Sequence, residues 1–134
     1  MTLKVWKPED SRLSLGIVVD VLRRERVFAK LNFGEWTNVL STTIESGTNI
    51  FIVDDNFIIY GILGWCEYND AAFINYWYAK SAFTNKFLIG VARRLLSSYK
   101  DLYFNRFYTN KPPRPVRLSV NKFVPNHVES NKCL

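Results

Sequence analysis

Residues 44–65 read Ile44-Glu45-Ser46-Gly47-Thr48-Asn49-Ile50-Phe51-Ile52-Val53-Asp54-Asp55-Asn56-Phe57-Ile58-Ile59-Tyr60-Gly61-Ile62-Leu63-Gly64-Trp65. Gly47 follows an amphipathic run and predicts a left-handed helix stop, because glycine enters positive φ without a steric penalty. Asn49–Val53 and Phe57–Trp65 are rich in β-branched and aromatic residues, the side chains that pack best on a pleated surface. Asp54-Asp55-Asn56 between them is turn chemistry, so the stretch predicts a helix end followed by a β-hairpin. Both strands are nearly continuous in hydrophobicity, which predicts a sheet covered on both faces.

On the N-terminal side, Thr2–Trp6 alternates as a short strand does, and Pro8 suits a first helical turn. Leu15, Val18, Val19 and Leu22 recur at spacings of three and four and predict one buried stripe, with Arg23, Arg24, Glu25 and Arg26 at the helix exit. Asn32 is placed to cap a second helix with Glu35 as its reciprocal partner, and Trp36, Val39, Leu40 and Ile44 form that helix's apolar face. On the C-terminal side, Tyr68-Asn69-Asp70 offers a further turn and Ala72–Ala79 a fourth strand. A third helix is predicted from Asn85 to Tyr99. Phe87, Leu88, Val91, Ala92, Leu95 and Tyr99 face its core, and Lys86, Arg93, Ser97 and Lys100 line its other side. Leu102–Thr109 reads as a fifth strand. Lys111-Pro112-Pro113-Arg114-Pro115 then breaks regular structure, and the composition from Asn126 onward is that of a frayed end.

The order β-α-α-β-β-β-α-β predicts an α+β domain: a mixed, mostly antiparallel sheet of five to six strands flanked by three helices. At 134 residues, 48% of them hydrophobic, the chain has material for one core, over residues 1–125, with 126–134 as a flexible tail. No apolar run approaches the roughly 18 residues of a membrane span, and no apolar stretch of signal length precedes Pro8, so a cytoplasmic protein is expected. Cys66 and Cys133 lack the further partners that a disulfide framework or a zinc site needs; two thiols and no metal are expected. Charge is divided unevenly. Residues 1–79 hold seven Lys/Arg and ten Asp/Glu, a net of −3, whereas residues 80–134 hold eleven Lys/Arg against Asp101 and Glu129, a net of +9. Such a division favours an acidic partner, whether cofactor phosphates, an acidic carrier protein or nucleic acid, unless it is a solvated basic face that keeps the protein soluble.

Leu15-Gly16, Asn38-Val39-Leu40, Ile44 with Gly47 three residues on, the short apolar strand, Asp54-Asp55, Tyr60 and Trp65 together resemble the N-terminal part of the toxin-activating lysine acyltransferases. The likeness covers residues 15–65 and continues more loosely through Phe73-Ile74-Asn75-Tyr76-Trp77 into the third helix; a block that the family carries between the two regions is missing here. The resemblance implies a GNAT-like fold and transfer of an acyl group from acyl carrier protein to a lysine. It also implies a histidine base supported by an aspartate, and here the chain departs from it. Val27 or Phe28 stands at the first place and Asn75 at the second, and none of these accepts a proton near neutral pH. The single histidine, His127, lies in the expected tail.

A generic transfer of this kind asks less of the protein, because holding a thioester beside an amine already lowers the barrier. Glu67 and Asp70, after the third strand, are candidates for the base, directly or through water. Tyr103 or Tyr108 is a candidate proton donor to the leaving thiolate, and Asn75 holds the aspartate's place on the fourth strand. Cofactor phosphates would meet the start of the third helix, at Lys80, Ser81, Thr84, Asn85 and Lys86. That segment lacks glycines that let a backbone wrap a pyrophosphate, which favours a carrier-protein donor over coenzyme A of the ordinary kind. Arg93, Arg94, Lys100 and Arg106 are the candidate contacts for the carrier's acidic surface, with no tightly bound cofactor expected.

Two other classes remain open on the same residues. One is a non-catalytic structural or interaction protein with an acyltransferase-like fold, such as a phage or virion component in a protein assembly, which suits the short chain and the missing dyad. The other is a nucleic-acid binder, in which Tyr103, Phe104, Phe107 and Tyr108 alternate with Arg106 and Lys111 as stacking and phosphate contacts.

Overall fold

The computed structural model describes residues 2–24, 33–106 and 114–118. Their elements follow in the order β1 (Lys4–Trp6), α1 (Ser11–Arg24), α2 (Phe33–Ser46), β2 (Thr48–Val53), β3 (Ile59–Tyr68), β4 (Ala71–Ala79), α3 (Ala82–Leu96), β5 (Asp101–Arg106) and β6 (Arg114–Leu118). The six strands form one sheet in chain order. All neighbours pair antiparallel except β4 and β5, which are parallel because α3 crosses between them. The expected α+β architecture, a mixed and mostly antiparallel sheet with three helices, is the one observed.

Alternation along the strands sorts the core into two layers. Ile50, Ile52, Leu63, Trp65, Ala72, Ile74 and Leu102 pack against Leu88, Val91, Ala92 and Leu96 of α3. On the other face Phe51, Val53, Ile62 and Tyr76 pack against Val18 and Val21 of α1 and Leu40 of α2. This double cover is why β2 and β3 read as continuous apolar runs.

Several local expectations are corrected. In α1, Ser14, Val18 and Val21 are buried among the described side chains and Val19 packs against their layer, while Leu15 is exposed and the Leu22 side chain lies outside the described residues; the run Ile17-Val18-Val19 supports two helical phases, and the sheet selects the one that seats Val18 and Val21. In α3, Leu96 is buried and Leu95 exposed for the same reason. Gly47 does not adopt positive φ. Its need is steric: a Cβ there would lie 2.3 Å from the Trp65 carbonyl oxygen and 2.8 Å from that of Thr43. Arg114 and Pro115 do not break structure but open β6, the edge strand, where a residue without an N–H is tolerated. The Asn32 cap, Tyr108, His127 and the tail from Asn126 lie outside the described residues, as do the side chains of Glu35, Trp36, Val39 and Arg106.

Two bulges shape the sheet. Against β2, Ile52 pairs Gly61 and Val53 pairs Ile59, leaving Tyr60 as the extra residue. Against β3, Tyr76 pairs Gly64 and Ile74 pairs Trp65, leaving Asn75 as the extra residue. An extra residue reverses the alternation. Asn75 and Tyr76 therefore both face α1 and α2, and the Tyr76 ring lies over Gly64, where a Cβ would come within 2.2 Å of it.

The hairpin loop is held by Asp54. Its Oδ1 accepts from the Asn56 N–H at 2.8 Å and the Ile58 N–H at 3.1 Å, its Oδ2 accepts from the Tyr60 hydroxyl at 3.2 Å, and Phe57 takes φ 59° to close the turn. Loss of solvent pulls the Asp54 carboxyl upward, but these hydrogen bonds outweigh it and hold the group below the ordinary value of 3.8.

Two outcomes follow from these contacts. Gly64→Ala should destabilise the domain by about 1–3 kcal/mol in urea unfolding, because the added methyl must displace the Tyr76 ring; an unchanged midpoint would contradict the packing. Asp54 favours the folded state fully above pH 3.8 and loses that effect as pH falls through its lower folded value. The stability difference between wild type and Asp54→Ala should accordingly be largest above about pH 4 and shrink below it.

Candidate functional site

β4 and β5 pair over only four residues, from Ala71 with Asp101 to Ile74 with Phe104. Beyond that pair β4 continues to Ala79 and β5 to Arg106 without pairing each other. The sheet thus parts beside its fourth strand, and it does so at the Asn75 bulge. A cleft between parallel strands at such a point exposes backbone N–H and C=O groups that a bound extended chain can use.

The first turn of α3 closes the same end. Ser81 is its N-cap with extended backbone, accepting from the Thr84 N–H at 3.2 Å, and Thr84 is fully buried. Gly61 lets this turn approach the sheet: a Cβ there would lie 3.3 Å from the Thr84 methyl. The Trp77 indole N–H donates to Asn85 Oδ1 at 2.7 Å, tying β4 to the turn. No acidic residue occupies the first turn of α3, so the partial positive charge of the helix start is unopposed from within the helix.

Of the expected phosphate contacts, Ser81, Thr84 and Asn85 are therefore spent on the cap and on Trp77, and Lys86 is exposed at the helix start. Lys80 turns to the opposite face of the sheet, with Nζ 5.3 Å from the centre of the Tyr60 ring. There it lines a cavity of about 380 Å³ that also holds Asp20 and Arg24 of α1 and Tyr78 of β4. The sequence reading did not find this cavity; its one local signal is the carboxylate of Asp20 inside the apolar run from Ile17 to Val21.

Asn75 is buried under α2. Its amide donates to Thr43 Oγ1 at 2.7 Å and lies 3.5 Å from Cys66 Sγ. Asn49 shares the environment, with its amide donating to the Thr43 carbonyl at 3.0 Å. The Tyr76 hydroxyl is buried in the same layer without a hydrogen-bond partner among the described residues, and burial, then the neighbouring Cys66, pushes this phenol well above its usual value. Tyr103 stands one residue before the strands part, stacked on Phe73 with centroids 4.8 Å apart and planes 9° apart.

Glu67 and Asp70 are not brought to Asn75. They sit where the sheet is closed, on a shallow cavity of about 340 Å³ shared with Ser98, Tyr99 and Lys100. The Tyr99 hydroxyl donates to Glu67 Oε2 at 3.2 Å and accepts from the Trp65 indole N–H at 3.2 Å, and the Lys100 N–H donates to the Asp70 carbonyl at 2.9 Å. Of the expected carrier contacts, Arg93 and Arg94 lie in the last turn of α3 and Lys100 follows the helix, while Lys86, a phosphate candidate, lies roughly 10 Å back from Arg93 along the helix axis. Among the described residues no group of His, Cys, Asp and Glu could hold a metal ion, and no helix is long and apolar enough to cross a membrane.

No protein-family model and no curated protein matches the sequence. Among solved structures, the chain is similar to a GNAT-family acetyltransferase from Staphylococcus aureus Mu50, with a TM-score of 0.55 and 13% identity over 78% of this chain and 74% of that one. The likeness supports a GNAT-like fold and does not single out the toxin-activating enzymes.

Asn75→Asp tests what the site tolerates. A carboxylate there would lose solvent among Thr43, Cys66 and Tyr76, so its folded value should rise above the unfolded one. The variant should cost about 1–3 kcal/mol at pH 7.5 and recover stability as pH falls toward 4, read as urea midpoints at the two pH values. A cost that does not depend on pH would mean the new carboxyl is solvated.

Proposed function

We propose that this protein binds an acyl thioester where β4 and β5 part and transfers the acyl group to an amine. The observation that carries the reading is the end of pairing at Ile74 and Phe104, at a bulge, with the capped start of α3 at the same end. An extended thioester arm would lie along Asn75–Ala79, using the backbone that β5 leaves unpaired. Phosphates of coenzyme A, or the phosphate of a carrier protein's arm, would meet the helix start and Lys86. The amine nitrogen attacks the thioester carbonyl, the C–N bond forms, the C–S bond breaks, and the thiolate leaves. Tyr103 is the described hydroxyl best placed to give that thiolate its proton, and water takes the proton of the attacking amine. Approximation is then the main source of rate, an effect that reaches roughly 7–11 kcal/mol in well-oriented systems.

A second reading has its own support. Asn75 spends its amide on Thr43 and Cys66, and Glu67 and Asp70 lie away from the parting, an arrangement that also suits a domain that binds thioesters without turning them over. Titration with coenzyme A, acetyl- and palmitoyl-coenzyme A and an acyl carrier protein thioester, followed by thiol release with lysine peptides and polyamines, separates the two. Transfer predicts saturable donor binding, amine-dependent thiol release, and a loss of affinity for coenzyme A of about threefold in Lys86→Gln. Binding without release supports the second reading, and absence of donor binding removes both.

A further inference from the structure

Two buried polar atoms among the described residues have no hydrogen-bond partner, Asn49 Oδ1 and Tyr76 Oη. Their residues are 7% and 1% exposed, so bulk solvent does not reach either group. A buried oxygen left unmet is costly, and native folds rarely keep one so.

Sheet register brings the two atoms to one place. Gly64 pairs with Asn49 of β2 on one side and with Tyr76 of β4 on the other. Both side chains lie on the α2 face: the Asn49 amide donates to the Thr43 carbonyl at 3.0 Å, and Tyr76 packs in the layer of Val18, Val21 and Leu40. The far end of the Tyr76 ring hangs over Gly64, with Oη 2.6 Å from the point that a Cβ would occupy. Residues directly opposite in neighbouring strands hold their Cβ atoms about 4.5–5.5 Å apart. The phenol thus stands across from Asn49 at about one cross-strand spacing, and two O–H···O bonds of about 2.7–2.8 Å laid end to end span that distance.

The chemistry of the pair selects what fits between them. Asn49 Oδ1 only accepts, whereas the phenol can donate. The two do not bond directly, and the Asn49 amide cannot swing toward the phenol without losing Thr43. An apolar guest would leave both oxygens unmet. We propose that one buried water joins β2 to β4 above Gly64, accepting the Tyr76 O–H and donating a hydrogen to Asn49 Oδ1. The sulfur of Cys66, two residues along β3 and turned to the same helix, is a weak acceptor for its second hydrogen. That makes three partners, within the two to four that a buried water needs. Packing at the bulge then depends on a bound solvent molecule, whether or not the domain transfers acyl groups.

The test uses the full chain. A crystal structure that resolves ordered water should show one peak within about 2.6–3.2 Å of both Tyr76 Oη and Asn49 Oδ1. No peak there, or a direct bond between the two side chains, would overturn the proposal. Urea unfolding gives a signed readout. Tyr76→Phe removes one of the water's partners and should lower the midpoint; a midpoint unchanged or raised would mean that the phenol is dry and unmet, against the proposal. In the Asn49→Leu background, where the water has lost its acceptor, the same change should no longer lower the midpoint. A drop there as large as in the wild type would mean that the phenol is satisfied without Asn49, which also sinks the site. Should Asn49→Leu fail to fold, the crystal structure and Tyr76→Phe alone decide.

Discussion

The contact on which the rest of this structure depends is the Tyr76 ring lying across Gly64. Tyr76 can take that place only because Asn75 is an extra residue in β4, which turns two successive side chains to the same face. It can lie so close only because residue 64 has no Cβ. The bulge then fixes three things together. It seats the largest fully buried side chain in the α1–α2 layer, it buries Asn75 against Thr43, and it bends β4 at the point where β5 stops following it. Bulges increase local twist and end pairing in this way.

The parting of the sheet is thus a consequence of packing on the face away from α3. β5 pairs with β4 as far as Ile74 and stops where the bulge begins. α3 crosses from the end of β4 back to the start of β5 with its first turn pinned by Thr84 over Gly61 and by Asn85 on Trp77. The start of a helix and the open end of a sheet are held together by two glycines that admit their neighbours closely. Either feature alone is common. Their combination is what the proposed thioester site rests on.

Most of the architecture was legible because strands and helices announce themselves locally. The continuous apolar runs of β2 and β3 correctly implied helices on both faces, and the element order implied the topology. What escaped the sequence is set by partners far away in the chain. The bulge at Asn75 depends on register with β3, and nothing within residues 71–79 marks it. The same holds for the phases of α1 and α3, where Leu15 and Leu95 are as apolar as the residues the sheet selects. Pro115 was misleading because its tolerance depends on β6 being an edge. In the candidate site, Ser81, Thr84 and Asn85 fall at the start of α3, and their engagement in the cap and with Trp77 follows from three-dimensional packing. Of the carboxylates expected just after β3, Asp70 follows it and Glu67 lies within it, paired with Ala72, and β3 ends at the closed end of the sheet.

Asn75 sets the proposed transfer apart from one built on a histidine and an aspartate. A carboxylate at that position would be deprived of water, beside a thiol, a phenol and a hydroxyl already bonded to its neighbours. An amide carries no charge, so it can be buried there with its donors met by Thr43 and Cys66. An amide at this position offers no proton transfer but satisfies its buried neighbours at the bulge. The proposed transfer rests on holding its reactants in place, because Asn75, the residue at the parting, is engaged with Thr43 and Cys66.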